Sequence, residues 1–193
     1  MRLRRRTVLY FVAGAILGAT VASAQSSQPR REPDVPYVPT TDEAVQAMLK
    51  LAVVTKNDVL YDLGCGDGRI VIAAAKLYGT RGVGIDINPV RIAEAKENAR
   101  KAGVENLVRF EENDLFESDI HEATVVSLFL LPNINLKLRP KLLQDLKPGT
   151  RIVSNTFTMG DWVPEKEFTL DGAKEAYLSR NLYLWKIPPP KRN

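Results

Sequence analysis

Beyond residue 40, the spacing of apolar residues alternates between a strand period and a helix period. Short apolar runs predict strands at residues 59–63, 82–87, 107–111, 123–130 and 151–155. Apolar residues three and four apart predict a helix capped by Thr41 and Asp42, and further helices at 69–77, 89–102 and 134–146. Two more strands, at 167–170 and 182–187, follow without a long helix between them.

This alternation predicts the fold class. Strands that alternate with helices favour an α/β fold with a doubly wound, mostly parallel sheet covered on both faces. The last two strands predict an antiparallel pair at the edge, which makes seven strands in all. In such sheets ligands bind at the carboxyl ends of the strands, beside the first strand.

A glycine-rich loop follows the first predicted strand. Gly64, Gly66 and Gly68 permit a sharp turn and a close approach of ligand to backbone. The helix that follows directs free N–H groups at the same point, which suits a carboxylate or a phosphate. Asp62 precedes the loop, and Asp86 lies at the end of the next strand, where a carboxylate can accept both hydroxyls of a ribose.

Other interpretations of the loop have to be weighed. A dinucleotide site needs a third glycine where this chain has Arg69, and a turn without any ligand would not need acids at neighbouring strand ends. Cys65 is interpreted as a small turn residue and not as a nucleophile. Because Cys65 and His121 are the only residues of their types, no intramolecular disulfide and no His/Cys zinc site can form, and no metal site is predicted.

The spacing Gly-x-Gly-x-Gly, with an aspartate two positions before it, resembles the class I (seven-stranded) S-adenosylmethionine-dependent methyltransferases over residues 41–187. The resemblance implies a Rossmann-like methyltransferase fold, with the loop against the methionine part of S-adenosylmethionine. It also implies that Asp62 lies near the cofactor's amino group, Asp86 at the ribose and Asp114 near the adenine amino group. The candidate cofactor-binding residues are therefore Asp62, Gly64, Cys65, Gly66, Gly68, Asp86, Ile87 and Asp114.

Three stretches narrow the resemblance: PYVPT at 36–40, DLGCGDGRIVIAAAK at 62–76 and FTMGDWVP at 157–164. In this order they are similar to the lysine methyltransferase family that includes the ATP synthase c-subunit enzyme, although Cys65 stands where a serine is expected in eukaryotic members. The family implies a protein lysine as methyl acceptor. Tyr37 and Trp162 are candidates for its channel, with packing on the sheet rim as the alternative. A methyltransferase for a small amine or other metabolite, and a non-catalytic nucleotide-binding module of the envelope, stay open.

Two observations disfavour a nucleic-acid partner. The fourth parallel strand ends in Phe129-Leu130-Leu131-Pro132-Asn133, not in the Asn/Asp-Pro-Pro-Tyr/Phe tetrapeptide of nucleobase and amide methyltransferases. Residues 1–24 hold four of the 27 basic residues and none of the 23 acidic ones, so the remainder has 23 of each. Without a basic excess, electrostatic attraction to a phosphate backbone is not expected.

The first residues are predicted to form a targeting segment and not a part of the fold. Four arginines precede an uncharged, mostly apolar run at 8–22, and Ala22-Ser23-Ala24 offers a signal-peptidase site. Residues 1–24 are predicted to be a secretory signal or an uncleaved anchor that gives transient membrane association, 25–36 a flexible linker, and 37–193 the methyltransferase domain. The expected location is the cell envelope, or the cytoplasm if the signal is not used.

Overall fold

The computed structural model describes residues 37–170 and 181–190. The predicted signal at 1–24 and the whole of the predicted linker at 25–36 lie outside the described residues. The helices are α1 Asp42–Leu51, α2 Arg69–Tyr78, α3 Pro89–Ala102 and α4 Pro132–Asp145. The strands are β1 Val59–Leu63, β2 Arg81–Asp86, β3 Val108–Glu112, β4 Val125–Leu128, β5 Arg151–Asn155, β6 Lys166–Thr169 and β7 Asn181–Lys186. Within the described ranges, no helix has both the length and the apolar character needed to cross a bilayer.

The seven strands form one sheet in the order β3-β2-β1-β4-β5-β7-β6. Strands β1 to β5 are parallel, while β7 pairs antiparallel with both β5 and β6. The predicted α/β fold and the antiparallel pair at the edge are thus confirmed. The chain reverses its direction of winding at β1, which lies between β2 and β4, so a crevice is expected at the carboxyl ends of these strands.

Helices cover both faces of the sheet, and the side chains of β1 alternate between them. Leu60 packs in the core cluster formed with α1, α2 and α3. Tyr61 and Leu63 pack in the opposite cluster, which includes Leu138 and Leu142 of α4. All five residues of β1 are buried, as expected for a central parallel strand. The strand whose carboxyl end carries the glycine loop is therefore held in place by the core on both faces of the sheet.

Helix α3 shows how local signals place the site. Its first turn is capped by the Asn88 side chain, which accepts a hydrogen bond from the Val90 N–H, and Pro89 occupies the first helical position. Gly103, with φ +68°, ends the helix in the left-handed region. Because the cap follows Asp86 by two residues, the end of β2 is held at a fixed place beside the loop.

Candidate functional site

A cleft opens at the carboxyl ends of β1, β2, β3 and β4. It encloses about 1010 Å³ of empty space, part of which is continuous with solvent. The cleft is lined by most of the residues predicted to bind a cofactor, namely Asp62, Gly64, Cys65, Gly66, Asp86, Ile87 and Asp114.

The glycine loop contributes backbone without Cβ atoms to the cleft at Gly64 and Gly66. Gly66 has φ +52°, and a Cβ atom at this position would lie 2.4 Å from a ring carbon of Tyr37. Gly68 differs from the other two loop glycines, because it is not part of the cleft lining. It begins α2 with φ +80°, and a Cβ there would lie 2.7 Å from the ring of Phe110. Gly68 therefore allows the helix to pack closely behind the loop.

Asp86 ties the end of β2 to the loop. Its Oδ2 accepts a hydrogen bond of 2.9 Å from the Gly66 N–H, and its Oδ1 accepts one of 2.9 Å from the Asn88 N–H. A carboxylate has about four lone-pair positions, so each oxygen retains capacity to accept a further hydrogen bond. The backbone contacts hold the carboxylate in one orientation, as expected of a group that positions a ligand.

Asp62, at the end of β1, is almost completely enclosed. Its side chain accepts a 2.7 Å hydrogen bond from the Ser127 hydroxyl of β4. Burial raises the pKa of the Asp62 carboxyl to about 7, the Ser127 hydrogen bond opposes this rise, and the charges of Asp86 and Asp67 add to it. A cation that entered the cleft beside Asp62 would offset the cost of burying its charge.

Asn113 and Asp114 form a tight turn after β3. The Asn113 side chain accepts a 2.9 Å hydrogen bond from the Asp114 N–H, and Asp114 Oδ1 accepts one of 2.9 Å from the Phe116 N–H. Both residues line the cleft. The structure therefore places acidic side chains at the ends of β1, β2 and β3, in the spatial order of these neighbouring strands.

Residues 37–41, here called the strap, lie over the loop. The Tyr37 ring packs on Gly66 on one side, and the Arg91 guanidinium lies 4.7 Å from the ring centroid. Tyr37 is 45% exposed, so it forms part of the rim of the cleft. Tyr37 thus lies beside the glycine loop, and its part in a channel for the acceptor stays a prediction.

Thr40 anchors the other end of the strap. Its carbonyl accepts a 2.7 Å hydrogen bond from Arg69 Nη1, and its hydroxyl accepts one of 3.4 Å from the Asn155 amide of β5. Arg69 is itself held by Asp67 through Nε and Nη2, at 3.0 and 2.7 Å. The position that breaks the dinucleotide pattern is thus occupied by a residue that links the strap to the loop.

Aromatic side chains lie at the end of β4. Phe129 lines the cleft, and its ring is stacked on that of Phe157 with centroids 6.3 Å apart and an interplanar angle of 22°. Leu130 and Ile134 continue the apolar lining on this side. The predicted strand at 123–130 ends earlier, at Leu128, because its last two apolar residues belong to the cleft and not to the sheet.

The second predicted channel residue, Trp162, is not among the residues that line the cleft. Its indole lies 6.1 Å from that of Trp185, and its carbonyl accepts a 2.7 Å hydrogen bond from Trp185 Nε1. The structure therefore does not bring Trp162 and Tyr37 together at this cleft. Its contacts correspond to the packing alternative.

Cys65 is buried within the loop, and burial raises the pKa of its thiol well above the ordinary value. A thiol that keeps its proton is a poor nucleophile, which agrees with the interpretation of Cys65 as a turn residue. Across the part of the chain that the structure describes, no group of three or more His, Cys, Asp or Glu side chains is arranged to hold a metal ion.

The cleft also contains residues that the sequence pattern did not identify. Arg91 and Asn113 line it from α3 and the turn after β3, and Thr40 lines it from the strap. Thr40 ends the PYVPT stretch, but that stretch did not identify it as a site residue. The sequence did contain a signal for Phe129, because it lies at the strand end where nucleobase and amide methyltransferases carry their tetrapeptide. The contacts of Arg91 depend on how α3 packs, which sequence spacing alone does not fix.

Comparison with known proteins identifies the family to which this chain is similar. A model of the family described as "ANTKMT methyltransferase domain" matches residues 62–166. Protein-lysine N-methyltransferase of Saccharolobus islandicus is 46% identical over 156 residues, covering 80% of this chain and 95% of that protein. Adenine nucleotide translocase lysine N-methyltransferase of Mus musculus is 33% identical, with coverages of 84% and 73%.

A solved structure gives the same result. The crystal structure of an RNA methyltransferase from Salinibacter ruber, in complex with S-adenosyl-L-homocysteine, superposes with a TM-score of 0.75 and 51% sequence identity. The match covers 81% of this chain and 97% of that one. Together with the family match, these similarities show that the chain belongs to the ANTKMT methyltransferase family.

Proposed function

We propose that the protein is an S-adenosylmethionine-dependent methyltransferase that modifies a lysine of a protein. The observation that carries this proposal is the cleft at the ends of β1, β2 and β3, with Asp62, Asp86 and Asp114 beside a glycine loop. The family match and the similarity to a protein-lysine N-methyltransferase support both the cofactor and the acceptor.

The chemistry of the lining fits this cofactor. Asp62 is a buried carboxylate that would hold the ammonium of the methionine part. Asp86, which is already oriented by the loop N–H, would accept the ribose hydroxyls. Asp114, on the turn after β3, would lie at the adenine, and Gly64 and Gly66, which have no Cβ atoms, leave room between them.

The reaction requires little acid–base chemistry from the protein. When bound, S-adenosylmethionine supplies a methyl carbon that accepts the lone pair of a neutral amine, while the carbon–sulfur bond breaks and sulfur keeps its electrons. The amine loses one proton in the course of methylation, so the products are methyl-lysine, S-adenosylhomocysteine and a proton. The residues of the cleft bind, align the reactants and exclude water, which are the contributions that such a transfer needs.

Other acceptors have to be compared with lysine. The relative from Salinibacter ruber is named as an RNA methyltransferase, whereas those from Saccharolobus islandicus and mouse are named as lysine methyltransferases. Beyond residue 24 this chain has equal numbers of basic and acidic residues, which does not favour RNA. The apolar, aromatic side of the cleft suits the aliphatic stem of a lysine.

Methyl transfer from radiolabelled S-adenosylmethionine tests the acceptor. The extract comes from cells in which the gene is deleted, so that acceptor sites are unmodified. We expect label in protein, recovered as methyl-lysine after hydrolysis. Label in RNA or in a small molecule would overturn the lysine proposal, and the absence of any transfer would favour a non-catalytic binding module.

A thermal shift measurement tests the cofactor separately. S-adenosylhomocysteine at about 100 times its Kd is expected to stabilise the folded protein by about 2.7 kcal/mol, which is a shift of several degrees at this size. NAD is the control, because Arg69 occupies the position of the third dinucleotide glycine. Equal shifts with both ligands would contradict the proposed cofactor.

A further inference from the structure

The cleft has two chemically different halves. The half formed by the ends of β1, β2 and β3 carries Asp62, Asp86 and Asp114, and these match the three parts of the proposed cofactor. The half at the end of β4 carries Phe129 and Leu130, whose side chains are apolar. A methyl acceptor has to approach from the side that the cofactor leaves open, which is the β4 side.

Phe157 extends this apolar half beyond β4. The sheet register pairs Leu128 of β4 with Ser154 of β5, so the residues that follow the two strands come close together. The Phe157 ring lies on the Phe129 ring with centroids 6.3 Å apart. Both residues are only partly buried, and Phe129 lines the cleft, whereas Phe157 is outside its lining and adjoins it through the Phe129 ring.

The backbone at Phe157 is held unusually firmly. Its carbonyl accepts hydrogen bonds from the Ser154 hydroxyl at 2.7 Å and from the buried Asn135 amide at 3.5 Å. Its N–H donates to the carbonyl of Asn155 at 2.8 Å. These contacts fix the position of the ring that supports Phe129.

The same turn contains backbone strain. Thr156 has φ +66°, a conformation that β-branched residues rarely adopt. Such strain persists only where surrounding contacts over-determine the backbone, and it is concentrated at functional sites. The turn after β5 is therefore built to hold Phe157 in place.

From these observations we propose that the stacked rings of Phe129 and Phe157 form one wall of the acceptor site, with Phe129 as a specificity-determining residue. The proposal rests on the proposed function. The flat wall receives the aliphatic stem of an acceptor lysine, and ring faces attract the ammonium as it arrives. The apolar surroundings then lower the pKa of the amine, which increases its neutral, nucleophilic fraction.

Site-directed variants test whether the aromatic wall contributes to binding of the acceptor and not to binding of the cofactor. The variants are Phe129→Ala and Phe157→Ala, and the matched control is Phe168→Ala, since Phe168 is a half-exposed aromatic residue of β6 outside the cleft. The probe is the protein fraction of the gene-deleted extract. The readouts are the rate of methyl-lysine formation against extract concentration, the Kd for S-adenosylhomocysteine and the melting temperature.

We expect Phe129→Ala to lower the rate at limiting acceptor about tenfold or more and Phe157→Ala about threefold or more, mainly through a higher apparent KM. The Kd for S-adenosylhomocysteine should stay within about threefold for both, and the control should resemble the wild type in every readout. A Phe129→Ala protein with a normal rate, or with a cofactor affinity reduced as much as its rate, would overturn the proposal. Should Phe129→Ala fail to fold, Phe129→Leu decides the same question, because it keeps an apolar side chain without the ring.

The outcome is separable from that of the proposed function. If the wild type forms no methyl-lysine, the proposed function fails. If the wild type forms methyl-lysine and the Phe129 variants do so equally well, only the acceptor wall is wrong.

Discussion

Asp62 and Asp86 are the same residue type at the ends of adjacent strands, but their surroundings give them different properties. Asp62 accepts a hydrogen bond from the Ser127 hydroxyl and is buried, so its protonation is sensitive to what lies beside it. Asp86 accepts two backbone N–H groups, which fix its orientation. At the scale of single residues, one carboxylate is suited to balance a charge and the other to align a ligand.

Replacement of Asp86 tests its aligning role. Asp86→Ala removes the acceptor for the Gly66 N–H as well as the proposed ribose contact, so we expect S-adenosylhomocysteine affinity to fall by about 1–3 kcal/mol, which is roughly 5- to 150-fold. Calorimetric titration measures the change. Asp119→Ala is the control, because Asp119 is an exposed carboxylate that pairs with His121. A Kd within about twofold of the wild type would contradict the assignment.

The raised pKa of Asp62 predicts a dependence of stability on pH. The folded protein holds this proton up to a pH of about 7, whereas the ordinary pKa is 3.8. The proton's contribution to stability is therefore complete below the unfolded pKa and is lost as the pH rises through about 7. The unliganded wild type should lose stability relative to Asp62→Asn between about pH 4 and pH 7, measured by denaturant unfolding.

The same group predicts proton release on cofactor binding. A cationic amino group beside Asp62 favours the ionised carboxylate, so the wild-type affinity for S-adenosylhomocysteine should increase as the pH rises through about 7. In Asp62→Asn this increase should be absent. Parallel pH profiles for the two proteins would show that Asp62 does not contact the cation.

At the scale of elements, predictions succeeded where several local signals coincided. The bounds of α3 were predicted correctly because an asparagine cap, a proline at the first position and a terminal glycine all act within a few residues. The place of Trp162 could not be predicted, because it depends on β7 inserting between β5 and β6, which brings Trp185 beneath it. Likewise, Gly68 matched the motif, but its neighbour Phe110 comes from β3, so its packing role is a tertiary effect.

The end of α1 contains a second strained element. Val53 follows the helix with φ +51° and is 61% exposed, and Arg151 of β5 donates hydrogen bonds to the carbonyls of Ala52 and Val53. These bonds hold a β-branched residue in a left-handed conformation, which costs roughly 1–2 kcal/mol for a residue with a Cβ.

Relief of this strain should stabilise the protein. Val53→Gly is expected to raise the free energy of unfolding by about 1 kcal/mol, because glycine adopts a positive φ without steric cost. Val163→Gly is the control, since Val163 is 79% exposed but is not among the positive-φ residues, so its replacement should not stabilise. Urea denaturation compares the two, and a Val53→Gly protein less stable than the wild type would contradict the expectation.

At the scale of the whole molecule, the two ends of the parallel strands have different roles. At the amino ends, Asp58 of the turn before β1 accepts a 2.7 Å hydrogen bond from the Thr124 hydroxyl and pairs with Arg151, whereas the carboxyl ends carry the cleft. Substitutions at the amino ends are therefore expected to affect stability, while those at the carboxyl ends are expected to affect binding.

The location of the protein is also a property of the whole chain. We propose that residues 1–24 direct export and that cleavage follows Ala24, on the pattern of arginines, apolar run and Ala22-Ser23-Ala24. N-terminal sequencing of the protein from fractionated cells should find Gln25 first, in the envelope fraction. Recovery of the protein from the cytosol with Met1 in place would show that the segment is not used as a signal.

Thr40 joins the two halves of the cleft through the strap. Its carbonyl accepts a hydrogen bond from Arg69, which directly follows the glycine loop. Its hydroxyl accepts one from Asn155 at the end of β5, close to the turn that carries Phe157. Because the strap contacts both halves of the cleft, we expect the binding of the cofactor and the binding of the acceptor to be thermodynamically coupled. Whatever factor a bound cofactor adds to the affinity for acceptor, the acceptor must add to the affinity for cofactor. We therefore expect the occupancy of the acceptor site to change how long the protein retains its methyl donor, by the same factor in affinity that the donor imposes on the acceptor.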